Sequence, residues 1–115
     1  MTSPASEFPF EIDCQQVSVL RSADEEFLLL DVRTNEEHAI ANLADAKHVP
    51  MQEIVERAAE LDTHRESRVV VFCHHGGRSE RVAAWLRQQG FDKAQNMVGG
   101  IDAWAVQIDP SMSRY

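Results

Sequence analysis

The sequence predicts a single α/β domain built on a parallel sheet, and three observations predict it. Apolar runs of strand length alternate with segments carrying helix caps and helical apolar spacing. The chain has 115 residues, 43% of them hydrophobic, which is enough for one compact core and too few for two ordinary domains. The strongest strand also runs directly into a glycine-bearing loop and then a capped helix, the arrangement in which α/β folds place sites at the carboxyl ends of strands.

The elements follow in order. Phe8 to Ile12 is a weak strand, and Asp13 then caps a helix through about Arg21. Phe27-Leu28-Leu29-Leu30 is apolar throughout and suits a sheet covered on both faces. Thr34 or Asn35 caps a short helix with Glu36 and Glu37 in its first turn, where the helix dipole favours carboxylates. Lys47 to Val49 is a second weak strand. Met51 to Leu61 places Ile54, Val55, Ala58 and Leu61 on one helical face. Val69-Val70-Val71-Phe72 is the clearest strand. The helix after it opens near Ser79, buries Val82, Ala83 and Leu86, and stops at Gly90, where Phe91 packs back on a glycine C-cap. Ala94 to Val98 is the fifth strand, and a short helix after Gly99-Gly100 turns Ile101, Trp104 and Ala105 inward. The expected architecture is a five-stranded parallel core with helices on both faces over residues 7–108, with flexible termini at 1–6 and 109–115.

The formal net charge of -8 argues against nucleic acid or an anionic membrane as partner, since both are bound through clustered Lys and Arg. An anionic substrate needs a locally positive pocket. No stretch approaches the roughly 20 apolar residues of a membrane helix, and Met1 to Phe10 lacks a basic segment followed by an apolar run. The chain reads as cytoplasmic. Its two cysteines, Cys14 and Cys73, are expected as free thiols.

The chemistry concentrates in Cys73-His74-His75-Gly76-Gly77-Arg78-Ser79. Adjacent glycines let the backbone turn sharply so that successive N–H groups face one concavity, and the following helix adds its positive end. A cysteine opening such a loop loses its proton readily, because those donors and Arg78 stabilise the thiolate. Cys73 is therefore expected to be a nucleophile, with Arg78 and Arg81 supplying local positive charge. His74 and His75 are adjacent, and adjacent residues seldom converge on one ion; no second Cys or His pair stands at ligand spacing, so neither metal nor cofactor is expected. His38, His48 and His64 read as structural or exposed, and Cys14 as an inert thiol.

The sequence resembles the single-domain rhodaneses, the thiosulfate sulfurtransferase family. The resemblance rests on Leu30-Asp31-Val32-Arg33, Glu37, Ala46 followed by Val49-Pro50, the Cys73 loop, and Gly99-Gly100-Ile101-Asp102-Ala103-Trp104. It implies a rhodanese-like fold and a two-step exchange: Cys73 takes the outer sulfur of a donor such as thiosulfate and passes it to a thiol or cyanide acceptor. A protein persulfide could serve as donor or acceptor. It further implies that the loop backbone holds the transferred sulfur, that His74, His75 and Arg78 help to bind the donor, and that Asp31 and Arg33 brace the loop.

The alternatives are a cysteine-based phosphatase of the same fold and a non-catalytic interaction module. Phosphatases of this fold place one residue more between cysteine and arginine, whereas four residues, His74 to Gly77, separate Cys73 from Arg78 here. Interaction modules of this fold commonly lack the cysteine. The sequence departs from the family pattern at Asn42, Ala44 and Asp45, where histidine, proline and glycine are common; Asp45 is tolerable in a turn at positive φ.

Overall fold

The computed structural model describes residues 8–115, so the expected frayed residues 1–6, and residue 7, lie outside the described residues. Strands β1 (Glu11–Ile12), β2 (Leu28–Asp31), β3 (Lys47–His48), β4 (Val69–Phe72) and β5 (Ala94–Met97) form one sheet in the order β1-β5-β4-β2-β3. Every pairing is parallel. Helices α1 (Cys14–Ser22), α2 (Asn35–Ile40), α3 (Gly77–Gln88) and α4 (Gly100–Gln107) lie between or after the strands.

Alternation along the strands explains the two layers. Leu28, Leu30, Val69 and Val71 pack with Val82, Ala83 and Leu86 of α3 and with Ile54 and Leu61, while Leu29, Val70, Phe72 and Met97 pack with Val17 of α1 and Ile101 and Trp104 of α4. Both faces of the sheet are covered, which is why β2 and β4 are buried at every position. Each fully buried Leu or Val contributes about 1.5–3 kcal/mol relative to leaving it in water.

The caps are specific. Asp13 accepts from the Gln16 N–H at 2.8 Å, and Gln16 accepts from the Asp13 N–H at 3.1 Å. Thr34 and Glu37 form the same reciprocal box, each contact at 3.2 Å. At the end of α3, Gly90 adopts φ +96° and the Phe91 N–H bonds to the Leu86 carbonyl at 3.0 Å, which buries Phe91 as expected. Asp45 adopts φ +68°, the left-handed conformation its position in the turn calls for.

Two expectations need correction. Residues 51–61 do not form one helix: two 3₁₀ stretches, Met51–Glu53 and Ala58–His64, replace it. The tighter winding keeps Ile54 and Leu61 buried but leaves Val55 67% exposed, so the four residues do not share a face. The carboxyl-terminal segment, expected to fray, instead packs: Met112 joins the core layer on the α4 side, and Tyr115 reaches the Cys73 loop. An aromatic ring with a hydroxyl finds both a stacking partner and polar partners there. No helix among the described residues is long and apolar enough to cross a membrane.

Candidate active site

The loop emerges from β4 at its carboxyl end and feeds α3. Cys73 is 1% exposed, and its Sγ receives the Gly76 N–H at 3.1 Å, the Ser79 N–H at 3.4 Å and the Ser79 Oγ at 3.4 Å. This convergence needs Gly76 at φ +116°, a conformation closed to residues with a Cβ. Burial alone would push the Cys73 thiol up, but hydrogen bonds from the Ser79 hydroxyl and from the N–H groups of Ser79, Gly76 and Arg78 outweigh it and hold the thiol below its ordinary value.

The loop is held from the other side as well. The N–H groups of Ile101 and Asp102, opening α4, bond to the carbonyls of Cys73 and His74 at 2.9 and 3.1 Å. Gly100 is what allows this approach. At φ +62°, a Cβ placed on it would stand 2.4 Å from the His74 oxygen and 2.5 Å from the Cys73 oxygen. The Gly99-Gly100 pair in the sequence thus belongs to the site through backbone proximity.

Arg78 does not stand free beside the sulfur as expected. Its guanidinium is clamped by Glu37, Nη1 to Oε1 at 2.6 Å and Nη2 to Oε2 at 2.9 Å. Arg33 gives its side chain to Asp31 rather than to Glu37, through Nε to Oδ1 at 2.9 Å and Nη2 to Oδ2 at 2.8 Å. The reason is reach: the Asp31–Arg33 pair is buried at 0% exposure, while the Glu37 side chain points out of the first turn of α2 toward α3. Arg33 still reads α2 through its backbone, donating to the carbonyls of Glu37 at 3.2 Å and Ala41 at 2.6 Å. Burial would raise the Asp31 carboxyl, but its bonds from Arg33 and His38 hold it below the usual range. Asp31 and Arg33 therefore anchor α2, and α2 in turn positions Glu37 against the loop.

His74 lies between two rings, with Tyr115 stacked at 3.9 Å and His75 tilted at 3.9 Å. Its Nε2 is buried without a hydrogen-bond partner among the described residues. Burial, then the neighbouring His75, lowers its basicity, so the ring is neutral near pH 7. The His75 side chain is 69% exposed, with Nδ1 4.0 Å from Asp102. The Tyr115 hydroxyl accepts from Arg33 Nη1 at 2.9 Å and donates to Glu37 Oε2 at 2.8 Å. Gly77 has open space around its Cα, and Ser79 is fully buried. Asp31, His38 and His48 bring ligand-type atoms within 4.8 Å of one another. Each is already committed: Asp31 to Arg33, His38 Nδ1 to Asp31 at 2.9 Å, and His48 Nε2 to the Arg33 carbonyl at 2.7 Å.

Two residues escaped the sequence reading. Tyr115 lay in a segment with no periodic signal. Asn96 left one: a polar side chain in a strand buried at every position, where an unpaired amide is costly, had to have a partner.

A cysteine cradled by backbone amides at the carboxyl end of a parallel strand, with an arginine clamped beside it, defines the class: a parallel α/β domain whose candidate site lies at the end of a central strand. Within that class this chain belongs to the rhodanese-like domain family, whose model matches residues 15–107. A sulfurtransferase of Allochromatium vinosum is 40% identical over 95 residues, covering 83% of this chain and 87% of that protein. The adenylyltransferase and sulfurtransferase MOCS3 of Arabidopsis thaliana is 28% identical over 118 residues, covering 90% of this chain but only 25% of that protein. The crystal structure of a rhodanese-like domain protein from Staphylococcus aureus superposes with a TM-score of 0.76 at 27% identity, covering 93% of this chain and 99% of that one.

Proposed function

We propose that this protein is a sulfurtransferase that carries a sulfane sulfur on Cys73. The observation that carries the reading is the set of three donors converging on one buried Sγ. Such a cradle favours a sulfur anion, whether thiolate or persulfide, over the neutral thiol. The sulfurtransferase relative, aligned over most of both chains, supports the same chemistry.

In the first half-reaction the Cys73 thiolate attacks the outer sulfur of a donor such as thiosulfate or a persulfide. The donor's S–S bond breaks, and the leaving sulfite or thiolate takes the bonding pair. In the second, a thiol or cyanide acceptor attacks the outer sulfur of the Cys73 persulfide, and the bonding pair returns to Cys73 as thiolate. The N–H groups of Gly76, Arg78 and Ser79 hold the charge in both states. His74 lines the loop, its buried Nε2 open to a donor only where the Tyr115 ring over it moves aside, exposed His75 lies at the rim, and Gly77 leaves room for the donor group. Asp31 and Arg33 brace the assembly through α2. A protein persulfide is an equally suitable donor or acceptor. The reading requires no cofactor, and the acidic surface suits neither nucleic acid nor an anionic membrane as partner.

The test is to incubate the protein with excess thiosulfate or a low-molecular-weight persulfide, remove the donor, and weigh the intact chain. The expected result is one added sulfur, removable by cyanide and missing in Cys73→Ser. No gain from either donor, or an equal gain in the variant, overturns the reading. Turnover of an aryl phosphate in their place would instead identify a phosphatase.

A further inference from the structure

Ser79 faces more acceptors than it has protons. Its Oγ lies 3.4 Å from Cys73 Sγ, 3.1 Å from the Gly76 carbonyl and 2.5 Å from Asn96 Oδ1, and one hydroxyl hydrogen cannot serve all three. The shortest contact goes to Asn96. That residue is 3% exposed and sits in β5 opposite Val71, two residues before Cys73 on the neighbouring strand. Its amide borders the loop from below, because a Cβ on Gly76 would stand 3.9 Å from Asn96 Nδ2.

An amide differs from every other side chain of this size in offering an acceptor and a donor on the same carbon. We propose that Asn96 is a positioning residue whose amide decides where the Ser79 proton points. It accepts that proton while Cys73 is a neutral thiol, and it turns Nδ2–H toward Ser79 Oγ once the sulfur carries charge. The Ser79 proton is then released to the sulfur, and Ser79 Oγ keeps a hydrogen bond in both states. The other charged or titratable groups around the loop are Asp31, Arg33, Glu37, His74, His75, Arg78, Asp102 and Tyr115. None of their side chains hydrogen-bonds to Ser79 or Asn96 among the described residues.

The inference rests on Cys73 being the reacting thiol, but its test needs no sulfur transfer. In a Cys14→Ala background, iodoacetamide alkylation of Cys73 is followed against pH, with thermal unfolding recorded in parallel. Asn96→Ala should move the midpoint upward and slow alkylation at pH 7 roughly threefold, with the alkaline plateau retained, the scale of one modest hydrogen bond. Adding Ser79→Ala should abolish that difference. Asn96→Asp, which keeps the acceptor, removes the donor and adds a charge that itself disfavours the thiolate, should slow the reaction further, and if the alanine variant does not fold, the part of that slowing lost on adding Ser79→Ala carries the test. A shift of the same size with and without Ser79, or no shift from either substitution, overturns the assignment.

Discussion

Glu37 and Arg78 meet side-on, two oxygens against two nitrogens at 2.6 and 2.9 Å, and this pair ties the helix after β2 to the helix that carries the loop. The positive charge beside the sulfur is therefore offset as it stands. Glu37→Gln keeps the capping box with Thr34 while releasing Arg78 to an incoming anion. Loading of Cys73 by thiosulfate, a dianion, should then quicken by roughly fivefold in kcat/KM, the scale of about 1 kcal/mol. Arg78→Ala in the same background should reverse the gain.

The same pair makes the fold sensitive to acid. Arg78 holds the Glu37 carboxyl well below the usual carboxylate range, against the opposing effect of burial. A carboxyl depressed in the folded state stabilises above its unfolded value and loses that contribution as pH falls, so the loss sets in near roughly pH 5. Tm measured from pH 7 to pH 3 should fall more steeply for the parent protein than for Glu37→Gln. Parallel curves would contradict this.

The two thiols should separate cleanly. Cys73 is held below the ordinary thiol value, while burial, with Asp13 nearby, pushes Cys14 up to about 11. At pH 7 a limiting alkylating reagent should label Cys73 and leave Cys14 untouched, as peptide mapping would record. Ser79→Ala removes the hydroxyl donor and should slow alkylation at pH 7 roughly tenfold, in line with a hydrogen bond to a charged group.

Two glycines of the site should respond in opposite ways. Gly100→Ala forces a Cβ into the Cys73 and His74 carbonyls at positive φ, so the loop must shift, with a loss of about 3 kcal/mol or more and of sulfur transfer. Gly77→Ala meets nothing within 4 Å and sits in the first turn of a helix, so its Tm should hold or rise. Chemical denaturation of both variants decides the matter.

Tyr115→Ala removes the ring over His74 and leaves Arg33 Nη1 with one partner fewer. The expected cost is about 1 kcal/mol, together with faster reaction of Cys73 with bulky thiol reagents. Tyr115→Phe should keep the ring's shielding and lose only the hydrogen bonds. Equal reagent rates in all three proteins would show that the ring shields nothing.

Much of this was legible in the residues, for reasons that differ by element. β2 and β4 announce themselves because burial on both faces requires unbroken apolar runs, and Asp13, Thr34 and Gly90 mark helix ends by local chemistry alone. The Cys73 cradle was readable because its geometry depends on neighbours in the chain. Residues 51–61 misled because apolar spacing does not separate 3₁₀ winding from α over so short a stretch. The true partner of Arg78 was hidden because it lies 41 residues away, and Tyr115 lies 82 residues from Arg33. Such pairings are set by how the layers stack, which no local pattern records.

The bonds from Ile101 and Asp102 to the carbonyls of Cys73 and His74 bear on how sulfur would leave the protein under the proposed function. They moor the loop to the amino end of α4 at Cys73 itself, which holds it against swinging out like a tethered arm. On that reading delivery would fall to the visitor. An acceptor would have to insert its own nucleophile down to a stationary sulfur, which would favour slender reagents and thiols displayed on protruding chain ends over flat protein faces.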